Sequence, residues 1–355
     1  MIALSPENQT TFDKASHISF DELITPVLEY SFSTLKIEKI ISPAPVKSFK
    51  EAKSRPELWD AWKPAFNAQI DSLKTRKAFD LVYLPSGQRA LPVKWVPDQK
   101  FAPNGDFLRN RARLVVCGNF EEGHNWAVHE LYAAVASSMS VKVFFTLVAV
   151  QGLHCSQHDI VTAFLHAPIP QGVHIYCRQP PDYSDGTERV WKLNQALYGH
   201  RKSSVWWFEE LSSKLKTIGF EPFHTDLCIF KHEKLVILLI VHVDDILIAA
   251  KAKADCDLVV HQLERFFDLK NLGEVSEFLG YRVIRNLNHN QIFLCQEKYC
   301  KKILSKYADP DVKPVTTPWL LKAKIPSKWE PIFDLKKKKY LKHTSSKNYL
   351  SSIWY

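Results

Sequence analysis

The chain lacks several things, and each absence excludes a class of protein. No CxxC pair occurs, and the seven cysteines (Cys117, Cys155, Cys177, Cys228, Cys256, Cys295 and Cys300) are scattered and odd in number. That argues against a disulfide framework. It also argues against zinc, since even Cys295 and Cys300 are too isolated for a site that needs four ligands. No secretory leader is visible, so free, mostly buried thiols in a reducing, intracellular compartment are expected. The strongly apolar run Leu235 to Val241 falls far short of the roughly 20 residues a bilayer span requires, so no membrane association is expected. No internal repeat with a period of about 20–50 residues is present.

What remains is ample for a folded enzyme. The chain has 355 residues and is 46% hydrophobic, enough for a sizeable core and two or so domains. Its net charge of +9 suits a protein that holds a polyanion. Plain solubility is the competing explanation, with much of the excess charge in the tail.

Residues 1–55 mix serine, threonine, proline and lysine without a sustained period and read as a linker, disordered or loosely docked. From Pro56, the spacing of Leu58, Trp62, Phe66, Ile70 and Leu73 predicts a helix, with Pro64 forcing a kink or a late start. Residues 78–85 read as a strand. Residues 93–96 and 113–116 read as a hairpin joined by the turn-like 102–106. Residues 131–153 predict a helix with Ser140 as its candidate cap, and 154–159 an extended segment. Residues 175–177 form a strand, and 206–218 a helix stopped at Gly219. Residues 257–267 form a helix, 278–284 and 291–295 a strand pair, and 296–305 another helix. Residues 316–355 form an irregular basic tail. Its run Lys336 to Lys339 reads first as solvated and second as a nucleic-acid contact.

The most informative feature is the adjacent pair Asp244 and Asp245. It lies between the apolar run 235–241 and a second one, 246–250. Strand, acidic turn, strand predicts a hairpin with two carboxylates at its tip. Taken alone, such a pair is usually a solvated turn. A third acid, Asp159, ends a short extended segment, and two metal ions about 3.5–4 Å apart need carboxylates from at least two segments. Asp159, Asp244 and Asp245 could supply them.

At this point the chain resembles the reverse transcriptases of copia-type LTR retrotransposons. The blocks that carry the likeness run in order. They are Lys94-Trp95-Val96, Arg111 to Val115 with Gly118, Gln157-His158-Asp159 with Ala163-Phe164-Leu165, and Leu197-Tyr198-Gly199. Then come Val243-Asp244-Asp245, Phe278-Leu279-Gly280, and Gln296 with Tyr299. The resemblance covers about 56–315. It implies an α+β right-hand polymerase with fingers, palm and a partial thumb, the palm an antiparallel sheet with helices on one face. It implies an RNA-directed DNA polymerase domain of a Pol polyprotein, acting on an RNA or DNA template with primer and on dNTPs. Two Mg²⁺ ions are implied, with Mn²⁺ an alternative. They would be held by Asp159, Asp244 and Asp245, with Asp245 the less direct ligand. Lys100 and Arg113, with Arg111 in reserve, match the triphosphate-holding hairpin, and a solvated face is the competing reading of each. Phe164 matches the residue under the incoming sugar, where a ring would exclude a 2′-hydroxyl, and Tyr198 matches the segment beside the templating pair. Core packing is the alternative for both. A cytoplasmic particle or the nucleus, and association with itself or with other Pol segments, are further expectations.

The sequence departs from the family in places. His242 stands where a tyrosine is usual. The block His200 to Val205 replaces Leu-Lys-Gln-Ala-Pro-Arg, and Ala134 replaces a proline. The blocks that lead toward a ribonuclease H domain are missing after Pro318, and no aspartic-protease triplet, zinc knuckle or integrase zinc pattern is found. Two other readings stay open: a catalytically decayed remnant that only binds nucleic acid, and a metal-dependent hydrolase using His242 to activate water.

Overall fold

The computed structural model describes residues 42–102, 106–121 and 126–307. The expectations for the first 41 residues, for the tip of the 102–106 turn and for the tail at 316–355 lie outside these. In chain order the elements are helices α1 (Phe49–Lys53) and α2 (Pro56–Thr75), then strands β1 (Phe79–Val82), β2 (Ala90–Leu91), β3 (Val93–Phe101) and β4 (Phe107–Val116). Helix α3 (Ser138–Val150), strands β5 (His154–Ile160), β6 (Tyr176–Cys177) and β7 (Val190–Leu193), and helix α4 (Ser203–Thr217) follow. Then come β8 (Phe220–Phe223), β9 (Asp226–His232), β10 (Ile237–His242), β11 (Asp245–Ala250) and helix α5 (Lys253–Leu263). The last are β12 (Leu269–Glu274), β13 (Glu277–Phe278), β14 (Tyr281–Asn286), β15 (Gln291–Cys295) and helix α6 (Glu297–Tyr307). The mixture is α+β, as expected. No described helix is long and apolar enough to cross a membrane.

The described residues fall into two compact units, one within Met1–Ser72 and Lys94–Val115, the other within Leu73–Val93 and Val116–Tyr355. In the first, α2 buries Leu58, Trp62, Phe66 and Ile70, the stripe that its spacing predicts. Pro56 occupies its first position, where a missing N–H costs nothing. The helix neither starts late nor stops at Pro64, whose ring lies on the exposed face. The end of the segment read as a linker is docked. Ser48 caps α1, and Val46, Phe49 and Ala52 are buried. The Phe49 ring meets those of Phe66 and Trp95 at 4.7 and 5.8 Å. Three apolar residues in so short a stretch are too few for a period to show. Strands β3 and β4 pair as the expected hairpin.

The second unit is built on a six-stranded sheet of order β12-β5-β11-β10-β9-β8, antiparallel throughout. On one face, Cys155, Leu247, Ala249 and Ile240 pack with Val141, Phe144, Phe145 and Val148 of α3 and with Phe278 and Val283. On the other face lies α5, whose Cys256 thiol meets the Ile248 carbonyl at 3.7 Å. Helices therefore cover both faces of this sheet. The expectation of helices on one face is corrected. The near-continuous apolar strands β10 and β11 are the sequence signature of strands buried on both sides.

Helix α3 is capped by Ser137 rather than by Ser140. The Ser137 hydroxyl accepts the Ser140 N–H at 3.0 Å, and Ser140 accepts the Ser137 N–H at 3.3 Å, a reciprocal box. Helix α4 starts three residues earlier than predicted and ends before Gly219, which takes φ 87°. All seven cysteines are free thiols; Cys155, Cys177, Cys228 and Cys256 are buried. Burial pushes the Cys155 and Cys228 thiols up to about 12.

Candidate functional site

The acidic hairpin forms as a two-residue turn. His242 of β10 pairs with Asp245 of β11, leaving Val243 and Asp244 as the loop. Only Asp244 is thus in the turn itself; Asp245 is the first residue of a strand. Val243 takes φ 59°, a left-handed conformation that a β-branched side chain rarely adopts. Strain of this kind collects at functional sites and persists only where neighbours impose it. Here the neighbour is Trp207 of α4, a buried indole whose Nε1–H donates to the Val243 carbonyl at 2.7 Å.

Strand β11 also pairs with β5, and the register sets Asp245 directly opposite Asp159. The Asp244 carbonyl accepts the Ile160 N–H at 2.8 Å, which ties the turn to the end of β5. All three predicted carboxylates are therefore brought to one end of the sheet. Asp245, expected as the less direct ligand, shares a face with Asp159, because directly opposed residues project to the same side. On the far side of β5, Lys270 of β12 lies opposite Asp159. One row thus crosses four strands: Lys270, Asp159, Asp245, His242.

The donor chemistry fits a hard divalent cation, which takes carboxylate oxygens. As they stand, no three His, Cys, Asp or Glu side chains among the described residues converge on a metal position. What the fold supplies is the backbone register, which sets Asp159 and Asp245 opposite one another.

His242 shares its face with Asp245, its cross-strand partner, and not with Asp244 as simple alternation predicts; the alternation stops at the turn. Burial lowers its pKa against the opposing pull of Asp244, so the ring is neutral near pH 7. Its Nδ1 is buried without a hydrogen-bond partner. The ring lines a cavity of about 470 Å³ together with Ser138, Val141, Leu279, Tyr281 and Gln296.

Phe164 lies in the 3₁₀ turn Ala163–His166, entered through Thr162 at φ 55°. Its half-buried ring meets that of Tyr198 edge-on at 4.6 Å. Tyr198 is held by its carbonyl, which accepts the Val116 N–H at 2.7 Å. The Gly118 N–H reaches the Gly199 carbonyl at 3.3 Å. The altered block that follows is well satisfied. The His200 Nε2 lies 3.2 Å from buried Glu121. The Lys202 ammonium donates to the Glu130 carbonyl at 2.8 Å and sits 4.7 Å over the Trp126 ring. The Ser203 hydroxyl donates to the Leu197 carbonyl at 2.6 Å.

Lys100 and Arg113 lie on the other unit. Arg113 pairs with Asp98 at 3.5 Å, and Lys100, two residues further along the strand, shares the face of Asp98. Arg111 alternates with the buried Ala112 and so joins Arg113 on that face.

Lys270 and Trp207 escaped the sequence reading. Lys270 lies in a polar strand with nothing to mark it. Trp207 had a usable signal, since a buried indole N–H needs an acceptor, but the acceptor is a main-chain atom that no sequence shows.

Residues 76–321 match the family model described as reverse transcriptase (RNA-dependent DNA polymerase). The retrovirus-related Pol polyprotein from transposon TNT 1-94 of Nicotiana tabacum is 32% identical over 290 residues, covering 80% of this chain and 22% of that protein. The Pol polyprotein from transposon RE1 of Arabidopsis thaliana is 29% identical over 308 residues, 82% of this chain and 21% of that protein. The chain thus spans about a fifth of the length of these relatives. Among solved structures, a foamy viral protease-reverse transcriptase in complex with double-stranded DNA covers 85% of this chain and 50% of that one, at 14% identity and a TM-score of 0.37.

Proposed function

The chain belongs to the reverse transcriptase (RNA-dependent DNA polymerase) family, as found in the Pol polyproteins of copia-type retrotransposons, and from that premise we propose that it extends a nucleic-acid primer on a template with dNTPs. The observation that carries this reading is the pairing of Asp159 with Asp245 beside the strained turn that holds Asp244. In this reading the six-stranded sheet is the palm, the β3–β4 hairpin belongs to the fingers, and β13–β15 with α6 begin the thumb.

Asp159, Asp244 and Asp245 would hold two divalent cations. Bound Mg²⁺ supplies Lewis-acid activation of a primer 3′-hydroxyl and offsets the charge of the triphosphate and departing pyrophosphate. Trp207 holds the Val243 carbonyl and so fixes the turn from which Asp244 projects. The β12 register sets Lys270 opposite Asp159, on the face that carries the acidic row. The hairpin face that carries Lys100, Arg111 and Arg113 offers donors to phosphate oxygens, the arginines in bidentate fashion. Phe164, braced by Tyr198, would clash with a ribose 2′-hydroxyl and so favour deoxynucleotides. His242, neutral and facing the cavity, contributes packing beside the acids rather than charge.

The test is primer extension. The purified chain with poly(rA)/oligo(dT), dTTP and Mg²⁺ is expected to lengthen the primer and to stop when EDTA is added. Salt-sensitive binding to primer–template with no extension at any Mg²⁺ or Mn²⁺ concentration would instead indicate a noncatalytic remnant.

A further inference from the structure

The turn that carries Phe164 is short and internally weak. It is entered through a left-handed threonine, and its own bonds are the Leu165 N–H to the Thr162 carbonyl at 2.8 Å and the Ala167 N–H to the Phe164 carbonyl at 3.1 Å. Its last residue, His166, is engaged on both ring nitrogens. The Nδ1 atom lies 3.4 Å from the Arg76 guanidinium, and Nε2 lies 3.1 Å from the Val161 carbonyl. A guanidinium can only donate and a carbonyl can only accept. One ring form therefore satisfies both contacts: the neutral imidazole with its proton on Nε2.

Arg76 continues the chain of contacts through an ion pair with Asp268. The Asp268 carbonyl in turn accepts the Val161 N–H at 2.9 Å. The circuit Arg76, His166, Val161, Asp268 is thus closed. It joins the segment after α2, the residue before β12, and the turn after β5. The imidazole also packs edge-on against Phe267 at 5.3 Å and lies 6.3 Å from Trp207. Only 19% of the Arg76 side chain is exposed, so its guanidinium is held in place rather than free in solvent.

We propose that Arg76 and His166 are positioning residues that hold the Phe164 turn and thereby set the preference for deoxynucleotides over ribonucleotides. The specificity part rests on the reading of Phe164 given above. A steric filter works only if its ring cannot yield, and a displacement of about 1 Å at a reacting centre can change rates by roughly 100-fold. Burial and the Arg76 charge both lower the His166 pKa, which favours the neutral form that the circuit requires.

Two measurements test this. The first is amide hydrogen exchange over residues 161–167 in Arg76→Ala and His166→Ala, without nucleotide. Exchange there is expected to rise at least about tenfold, while β10 and β11 keep their protection. Unchanged exchange overturns the anchoring, whether or not the chain is active. The second is the ratio of kcat/KM for dTTP to that for UTP in primer extension. It is expected to fall about tenfold or more in both variants and to recover in part in Arg76→Lys, which keeps the ion pair. An unchanged ratio alongside faster exchange overturns the specificity role. Phe164→Val separates the layers, since an unchanged ratio in that variant shows that the reading of Phe164 itself is wrong. Should the alanine variants not fold, His166→Gln carries the test. It loses the Nδ1 acceptor, so faster exchange with a lower ratio supports the proposal, and wild-type values overturn it.

Discussion

The indole N–H of Trp207 donates to the main-chain carbonyl of Val243 over 2.7 Å, and Val243 sits at φ 59° immediately before Asp244. A buried donor thus bears on the least comfortable peptide of the acidic hairpin. Trp207→Phe keeps a ring in the pocket and removes the donor. The expected loss is about 1–2 kcal/mol of stability, the scale of a buried hydrogen bond with one partner removed, measured by urea unfolding. In primer extension kcat is expected to fall with little change in KM for dTTP, as the proposed role of the turn in aiming a carboxylate requires.

Asp159 and Asp245 face one another across β5 and β11. Like charges in that relation destabilise a sheet by up to about 1 kcal/mol. Asp245→Asn is therefore expected to raise the melting temperature of the metal-free protein slightly. Mg²⁺ is expected to raise that of the unaltered chain and to do so far less in the variant. Calorimetry with and without Mg²⁺ reads both effects. A variant that is less stable without metal and equally stabilised by Mg²⁺ contradicts the assignment.

Gly118 is required by a close approach rather than by its backbone angle. A Cβ there would lie 2.5 Å from the Gly199 carbonyl oxygen. The contact is with backbone, so no side chain can swing away. Gly118→Ala is expected to cost about 2–3 kcal/mol by forcing the Tyr198–Gly199 segment outward, measured as a lower urea midpoint. Gly87→Ala meets nothing within 4 Å. Its cost comes only from a φ of 78°, so the two variants separate crowding from backbone strain.

The lowered pKa of His166 gives stability a pH dependence with a definite sign. Burial comes first among its causes, then Arg76. Below the ordinary value of 6.5 the unfolded chain takes up a proton that the folded ring resists. The contribution is full above 6.5 and is lost as pH falls through the folded pKa. Urea midpoints at pH 7.5 and 5.5 are expected to show a loss at the lower pH that is smaller in His166→Asn. An equal loss in both proteins would mean that other groups set the acid limb.

Much of the site was legible because its signals are local. Apolar runs on either side of Asp244-Asp245 define two strands, and Asp159 ends a third. The stripe Leu58, Trp62, Phe66, Ile70 defines α2 through its period. The illegible parts depend on partners distant in sequence. Ser137 and Ser140 both suit a helix start, and only the path of the preceding chain selects Ser137. Lys270 gains meaning from the β12–β5 register, which polar residues on an exposed strand do not specify. His242 faces Asp245 and not Asp244, because the turn interrupts the alternation that a continuous strand would keep. The circuit of Arg76, His166 and Asp268 spans 192 residues and uses a main-chain carbonyl as one of its members.

The central claim is that the three carboxylates form one metal-dependent polymerase site, and the most direct measurement is primer extension by the unaltered chain beside Asp159→Asn and Asp244→Asn. Binding to the same primer–template is followed in parallel by fluorescence anisotropy. The account predicts Mg²⁺-dependent extension by the unaltered chain, a loss of at least about 1,000-fold in either variant, and binding within about twofold of wild type in all three. Extension that survives Asp244→Asn would contradict it, as would equal and metal-independent behaviour of the three proteins.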